Sequence, residues 1–241
     1  LAIPHNGNLS NGLMFDDVTF TGKKPLDSDY AKRRAKWEPI YEVTQMKGDG
    51  EAHPLLSPND EFADFENWDV GAINAPEAKT RDMLPREYAR AVYQRGLQYE
   101  DRLGVNPFKF GMVGSTDSHT GLSTAEENQY FGKITVLEPA PSHDRLYEIV
   151  AGRTPNPEGK DIKVYAWQVS SSGLAAVWAT ENTREALWDA MARKEVYATT
   201  GSRIRVRVFA GWDFTAEDIV RPDFSRSGYA HGVPMGGDLP N

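Results

Sequence analysis

One stretch constrains this chain more than any other. Phe108 to Val113 is a compact, largely apolar run that breaks into Gly114-Ser115-Thr116-Asp117-Ser118-His119. An apolar run of this length bounded by turn residues reads as a buried strand, and its C-terminal end here delivers polar side chains. Ile40-Tyr41-Glu42-Val43 reads as a second short buried strand, followed by the polar turn Lys47-Gly48-Asp49-Gly50. Between them lies the strongest helical pattern. Pro85 starts it, Tyr88, Ala91, Val92, Tyr99 and Leu103 keep near-helical spacing, and Gly104 ends it. A shorter helix is expected over Asp29–Lys36. Short buried strands alternating with helices predict an α/β fold with parallel strands in the first two-thirds of the chain.

Residues 57–80 mix Pro, Asn, Asp and Glu without a period and read as irregular. Ser142 is expected to cap a short helix carrying Leu146, Ile149 and Val150, with Gly152 closing it. Residues 153–161 form the best candidate boundary, dividing the chain into 1–152 and a smaller α+β tail, 153–241. In the tail, Ile162–Trp167 and Leu174–Trp178 read as strands. Asn182 with Glu185 makes a capping-box-like start for a helix burying Leu187, Ala190 and Met191. Glu195–Ala198 and Arg203–Phe209 alternate apolar with polar, the period of a half-buried strand.

Charge and composition exclude several functions. The chain has 241 residues, with 27 Lys plus Arg against 35 Asp plus Glu, a net charge of −8. An acidic protein is a poor ligand for a polyanion, so no nucleic-acid partner is expected. The longest basic cluster, Lys32-Arg33-Arg34 with Lys36, reads as a solvated helix face. No apolar run approaches the roughly 20 residues that span a bilayer, so no membrane partner is expected. Cysteine is absent, which leaves any metal to His and carboxylate ligands.

Five histidines are present. Asp117-Ser118-His119 is the most informative setting, because residues i and i+2 of an extended segment point the same way. An imidazole and a carboxylate converging at a strand end make a divalent-metal corner; an Asx-turn beside a surface histidine is the alternative. His5, in Ile3-Pro4-His5-Asn6-Gly7-Asn8, also follows an apolar stub, as a ligand or as a loop histidine. Glu42 is a carboxylate within an apolar strand. It is either neutralised by a cation or partner or faces water on an edge strand. In the Gly-rich turn, Lys47 could hold an anionic oxygen, and Glu51 and His53 could serve proton transfer or metal binding; a solvated turn explains them equally. His143 and His231 read as structural or surface residues, and Ser170-Ser171-Ser172 as a turn. Arg203, Arg205 and Arg207 form an anion groove or, more simply, a solvated face.

These motifs are ordered as in one family. Ile3-Pro4-His5-Asn6-Gly7-Asn8, Glu42-Val43-Thr44-Gln45-Met46-Lys47-Gly48 with Glu51, and Gly114-Ser115-Thr116-Asp117-Ser118-His119 resemble a bacterial family, DUF3604, related to the PHP (polymerase and histidinol phosphatase) metallo-hydrolases. Val196-Tyr197-Ala198-Thr199-Thr200-Gly201 and Gly232-Val233-Pro234-Met235-Gly236-Gly237-Asp238-Leu239 extend the likeness over nearly the whole chain. The resemblance implies a distorted (β/α) TIM-like barrel, of which residues 1–152 are the C-terminal portion. It implies a centre of two or three divalent ions (Mn, Zn or Fe) at the strand ends. His5 matches a late histidine ligand, Asp117 and His119 the closing pair, and Glu42 a strand-end position beside the metals.

What the resemblance implies about function is a metal-dependent hydrolase of small phosphorylated substrates. Metal-bound water would attack phosphorus, Lys47 would offset charge on the oxygens, and Glu51 or His53 would relay the proton. The same scaffold could hydrolyse a sulfate ester or an amide, or serve as a catalytically incomplete binding module. The family's opening H-x-H is missing here. The chain is therefore expected to be the C-terminal part of a longer protein, its site completed by an upstream N-terminal segment. Relatives of this type point to the bacterial periplasm.

Overall fold

The computed structural model describes residues 1–68, 77–120, 142, 147–151, 158–159, 163–169 and 173–240. The central sheet has the order β2-β1-β3. β1 (Ile40–Gln45) is buried along its whole length and pairs in parallel with β3 (Gly111–Gly114), with a bulge between Glu42 and Thr44. β2 (Gly48–Asp49) folds back antiparallel on β1 through the expected turn at Lys47. The described parts of residues 57–80 contain neither helix nor strand.

Two helices build the cover. Asp27 caps α1 (Ser28–Trp37), its carboxylate accepting the Tyr30 N–H at 2.8 Å. α2 (Ala89–Leu103) ends where Gly104 takes a left-handed φ of 71°. It starts later than Pro85, which lies in a preceding single turn of tighter helix, Leu84–Arg86. Val92 and Tyr99 of α2 pack with Phe15, Tyr41, Phe108 and Phe110 in the main core cluster. Phe15 is the hub, edge-on to Tyr41 and Phe108 and stacked on Phe110. Lys32, Arg33 and Lys36 are exposed, as a solvated basic face requires, and only Arg34 departs from it. Its guanidinium lies over Phe15 and Phe108 at 5.2 and 5.0 Å, bonded to Glu38 and the Met14 carbonyl.

In the tail, β6 (Leu174–Val177) and β7 (Val196–Thr199) form an antiparallel hairpin around α3 (Arg184–Ala192). Val196 and Val177 join Ile40 and Val113 in a second cluster, so the hairpin packs beside β3. Gly114 permits this approach: a Cβ there would lie 2.9 Å from the Leu174 backbone and 3.0 Å from the Thr199 carbonyl. α3 is capped by Thr183, whose hydroxyl accepts the Ala186 N–H, rather than by Asn182. Of its expected buried residues, Ala190 is fully buried, and Leu187 and Met191 partly.

Two further expectations are corrected. Ile149 and Val150 belong to a strand, β4 (Ile149–Ala151), paired with β5 (Val164–Tyr165), not to a helix. Their β-branched side chains favour extended backbone. The strand expected over Arg203–Phe209 is reduced to β8 (Phe209–Ala210), which follows a segment outside any strand and pairs with β9 (Val233–Pro234) after α4 (Phe224–His231). Side chains take carbonyls that a ladder would use: Tyr197 bonds Ile204 O, and Trp178 bonds Val206 O. Of the three alternating arginines, Arg203 and Arg205 are exposed, as a solvated face requires, while Arg207 is half-buried and stacked 4.1 Å over Trp178. His231 is exposed in the last turn of α4. His143, Leu146, Gly152, Ile162, Ser170–Ser172 and most of the boundary 153–161 lie outside the described residues. Among the described residues the strands form four small sheets, none closed into a barrel, and no helix is long and apolar enough to cross a membrane.

Candidate functional site

Three extended segments run side by side and end together. The Ala2 N–H donates to Trp37 O at 2.5 Å and the Glu42 N–H to Pro4 O at 2.9 Å. Leu1–Pro4 therefore runs parallel to β1, on the edge opposite β3. His5, Gln45 to Lys47, and Ser115 to His119 are the residues that leave the C-terminal ends of these segments.

At those ends a polar network replaces the apolar core. Glu42 is buried, accepting the Ser115 hydroxyl on Oε1 and the Gln45 amide on Oε2 at 3.5 Å. The Gln45 amide also donates to Asn6 Oδ1 at 2.8 Å, while its oxygen accepts the Lys47 N–H at 2.8 Å. Asn8 donates to Lys47 O at 3.0 Å. The loop after Pro4 is thus sewn to the hairpin turn, and the turn aims Lys47 at β3. There the Lys47 ammonium pairs with Asp117 Oδ2, and His119 Nε2 lies 3.1 Å from Asp117 Oδ1.

Asp117 has a left-handed φ of 50°. Aspartate tolerates that region better than most residues, yet at some cost. The turn swings its carboxylate between a lysine and a histidine. Lys47 and Asp117 are 12% and 19% exposed in their side chains, His119 55%. The pair is therefore backed by protein and open on the histidine side.

The whole chain, residues 1–241, matches a known family described as "Protein of unknown function (DUF3604)". It belongs to that family. No curated protein and no solved structure matches it.

Of the expected ligands in this DUF3604 chain, Asp117 and His119 meet. Their 3.1 Å separation is about that of two ligands on one ion at bonds of roughly 2.0–2.2 Å. The two are hydrogen-bonded at that distance, and their nitrogen and oxygen donors are of the kind that Mn, Zn or Fe takes. Among the described residues no group of three His, Asp or Glu is placed to hold one. His5 is exposed after Pro4, and Glu42 is engaged with Ser115 and Gln45 as above.

The expected proton-relay residues lie on the loop beyond β2. Glu51 pairs with Arg90 of α2 at 2.7 Å, and Arg90 also holds Asp60 at 2.5 Å. His53 is buried, its ring 5.1 Å from that of Tyr88 and its Nδ1 accepting the Leu55 N–H at 3.1 Å.

Asn6, Gln45 and Ser115 lie within the quoted motifs, but the sequence assigns them no role. It also passes over Asp49, which reads only as a turn residue. Burial pushes the Asp49 carboxyl up to about 7, opposed by the N–H groups of Glu51 and Ala52 that it accepts. Alternation along the hairpin was the available signal, since it puts Asp49 opposite Thr44 of the buried β1.

Proposed function

We propose that this DUF3604 chain carries part of the active site of a metal-dependent hydrolase of the PHP type, acting on phosphate esters. The observation that carries the reading is the meeting of Asp117 and His119 at a parallel strand's end, with Lys47 on the same carboxylate. The distorted (β/α) barrel, the two or three ions and the upstream segment completing the site belong to the same proposal.

Asp117 and His119 would hold a divalent ion, with His5 at the neighbouring segment end as a further candidate. When bound, such an ion lowers the pKa of its water toward neutrality and offsets charge on a phosphoryl oxygen. The chain's own groups do the rest. Lys47 carries three N–H donors, enough to hold Asp117 and a non-bridging oxygen of the ester at once. Glu42 is a positioning residue: it orients Ser115 and Gln45, and Gln45 fixes the backbone of Lys47. Glu51, held by Arg90 on the loop beyond β2, or His53 would relay the proton.

The test is metal content and hydrolysis by the purified protein. Bound Mn, Zn or Fe, and cleavage of aryl phosphate mono- or diesters lost in His119→Ala and Asp117→Asn, is the expected result. Faster cleavage of aryl sulfates or amides would move the proposal to another bond. No bound metal and no hydrolysis after addition of Mn, Zn or Fe, with the upstream segment present, would overturn it and favour a binding module.

A further inference from the structure

A concave site lies at the other end of β3 from Asp117. A cavity of about 290 Å³ opens between α2, the residues leading into β3 and the C-terminal turn. Tyr93, Leu97 and Phe110 give it an apolar wall, and Lys109, Lys194 and Asp238 give it charge. Asp117 lies beyond the opposite end of this strand, so at about 3.3 Å per residue roughly 13 Å of strand separates the two sites.

The cavity is built rather than incidental. Tyr93 donates its hydroxyl to the Phe110 carbonyl at 2.7 Å, which fixes the wall. Lys194 is held in the left-handed region at φ 64°, an uncommon conformation for a lysine. Gly236, itself at φ 86°, approaches the Lys194 backbone so closely that a side chain there would overlap it. A Cβ on Gly111 would lie 3.1 Å from Lys194 Cβ. The lysine is thus pinned from β3 and from the C-terminal turn.

Its charge is only partly answered. Lys194 Nζ donates to the Lys109 carbonyl at 3.3 Å, while the Lys109 ammonium takes Asp238 at 2.8 Å. Two ammonium groups and one carboxylate leave 2 − 1 = +1 in the cavity of a chain with net charge −8. Burial lowers the Lys194 pKa below the usual lysine range; Asp238 opposes this and Lys109 adds to it. An anion bound beside Lys194 would relieve that cost.

We propose that this cavity binds a small organic monoanion, a carboxylate carried on an apolar, ring-sized body. The carboxylate lies against Lys194 and the body against Tyr93, Leu97 and Phe110. The volume sits at the lower end of small-molecule sites, which suits one ring and a short side chain but no nucleotide. The site is independent of the hydrolase reading and stands if that reading fails.

Isothermal titration of the purified protein with benzoate, phenylacetate and 3-phenylpropionate tests it, with benzamide and inorganic phosphate as controls. At least one carboxylate should bind saturably at one per chain, and neither control should match it. Lys194→Met should weaken that binding at least about tenfold, the usual scale of one charge-assisted hydrogen bond. Leu97→Asp, at an exposed helix position (65% exposed), should also weaken it while the melting temperature stays put. No saturable binding by any of the three carboxylates would overturn the proposal. So would equal binding by phosphate, or binding that both variants leave unchanged.

Discussion

Lys79 and Glu87 are the most deeply buried charges described, each with a fully buried side chain, 3.0 Å apart. Lys79 also reaches the Asn8 carbonyl, and Glu87 accepts the Gly12 N–H at 3.2 Å. The pair thus anchors the loop that leads from His5 past the candidate site. Removing one partner strands a buried charge, so Lys79→Met should cost about 3–5 kcal/mol in denaturant unfolding. Lys79→Met with Glu87→Gln should recover part of that loss, because the amide keeps an acceptor for Gly12 without the charge. A double variant no more stable than the single one would refute this account.

Asp49 gives a pH dependence at the same scale. Its carboxyl, ordinarily near 3.8, titrates near 7 in the folded chain. Between those values the folded state holds a proton that the unfolded state has released. The stabilisation from Asp49 is therefore complete below about pH 4 and is lost as pH rises to about 7. Compared with Asp49→Asn, which keeps an oxygen for the Glu51 and Ala52 N–H groups, wild-type stability should fall by roughly 1 kcal/mol per pH unit across that window. Parallel stability curves for the two proteins would show that Asp49 titrates normally.

At the scale of elements, local sequence was a good guide where a helix has its own punctuation. α1 follows a capping aspartate, and α2 runs to the left-handed Gly104. The start of α3 was displaced by one residue because Asn182 and Thr183 both have capping side chains, and only the backbone's path selects between them. Thr183→Ala should therefore cost about 1 kcal/mol, and Asn182→Ala almost nothing; thermal melts of the two variants decide it. Strands were less legible. Alternation in Arg203–Phe209 satisfies the period of a strand, but among the described residues only Phe209 finds a ladder partner, and side chains of Trp178 and Tyr197 hold the Val206 and Ile204 carbonyls. Ile149 and Val150 fit a helix stripe and a strand equally well by spacing, and pairing with β5 settles the matter.

On the scale of the whole molecule, the cluster of Ile40, Val113 and Val196 joins β1, β3 and β7. Residues from the first two-thirds and from the tail share one buried surface. Val196→Ala should then lower the stability of the whole chain by about 2 kcal/mol, the burial of two methyl-sized groups plus a cavity term. A calorimetric scan should show one transition moved as a unit. A split transition, with the tail melting alone, would mean that the cluster does not couple the two regions.

The candidate site divides in the same way. Asp117 and His119 were readable because a two-residue spacing in an extended segment converges whatever the fold. Lys47 was readable as a cation in a Gly turn, though not its partner. The Glu42 environment depended on Ser115, which is 73 positions away in the chain. Apolar runs, glycines and caps act over a few residues, so pattern determined that the segments around Ile40–Val43 and Phe108–Val113 would be buried strands, that α1 and α2 would be helices, and that polar groups would leave the strand ends. Which strand lies beside which, and hence that Lys47 meets Asp117 and Lys194 meets the wall of α2, only the tertiary structure decided. Contacts of that range follow from burying several faces at once, and no local stretch carries that information.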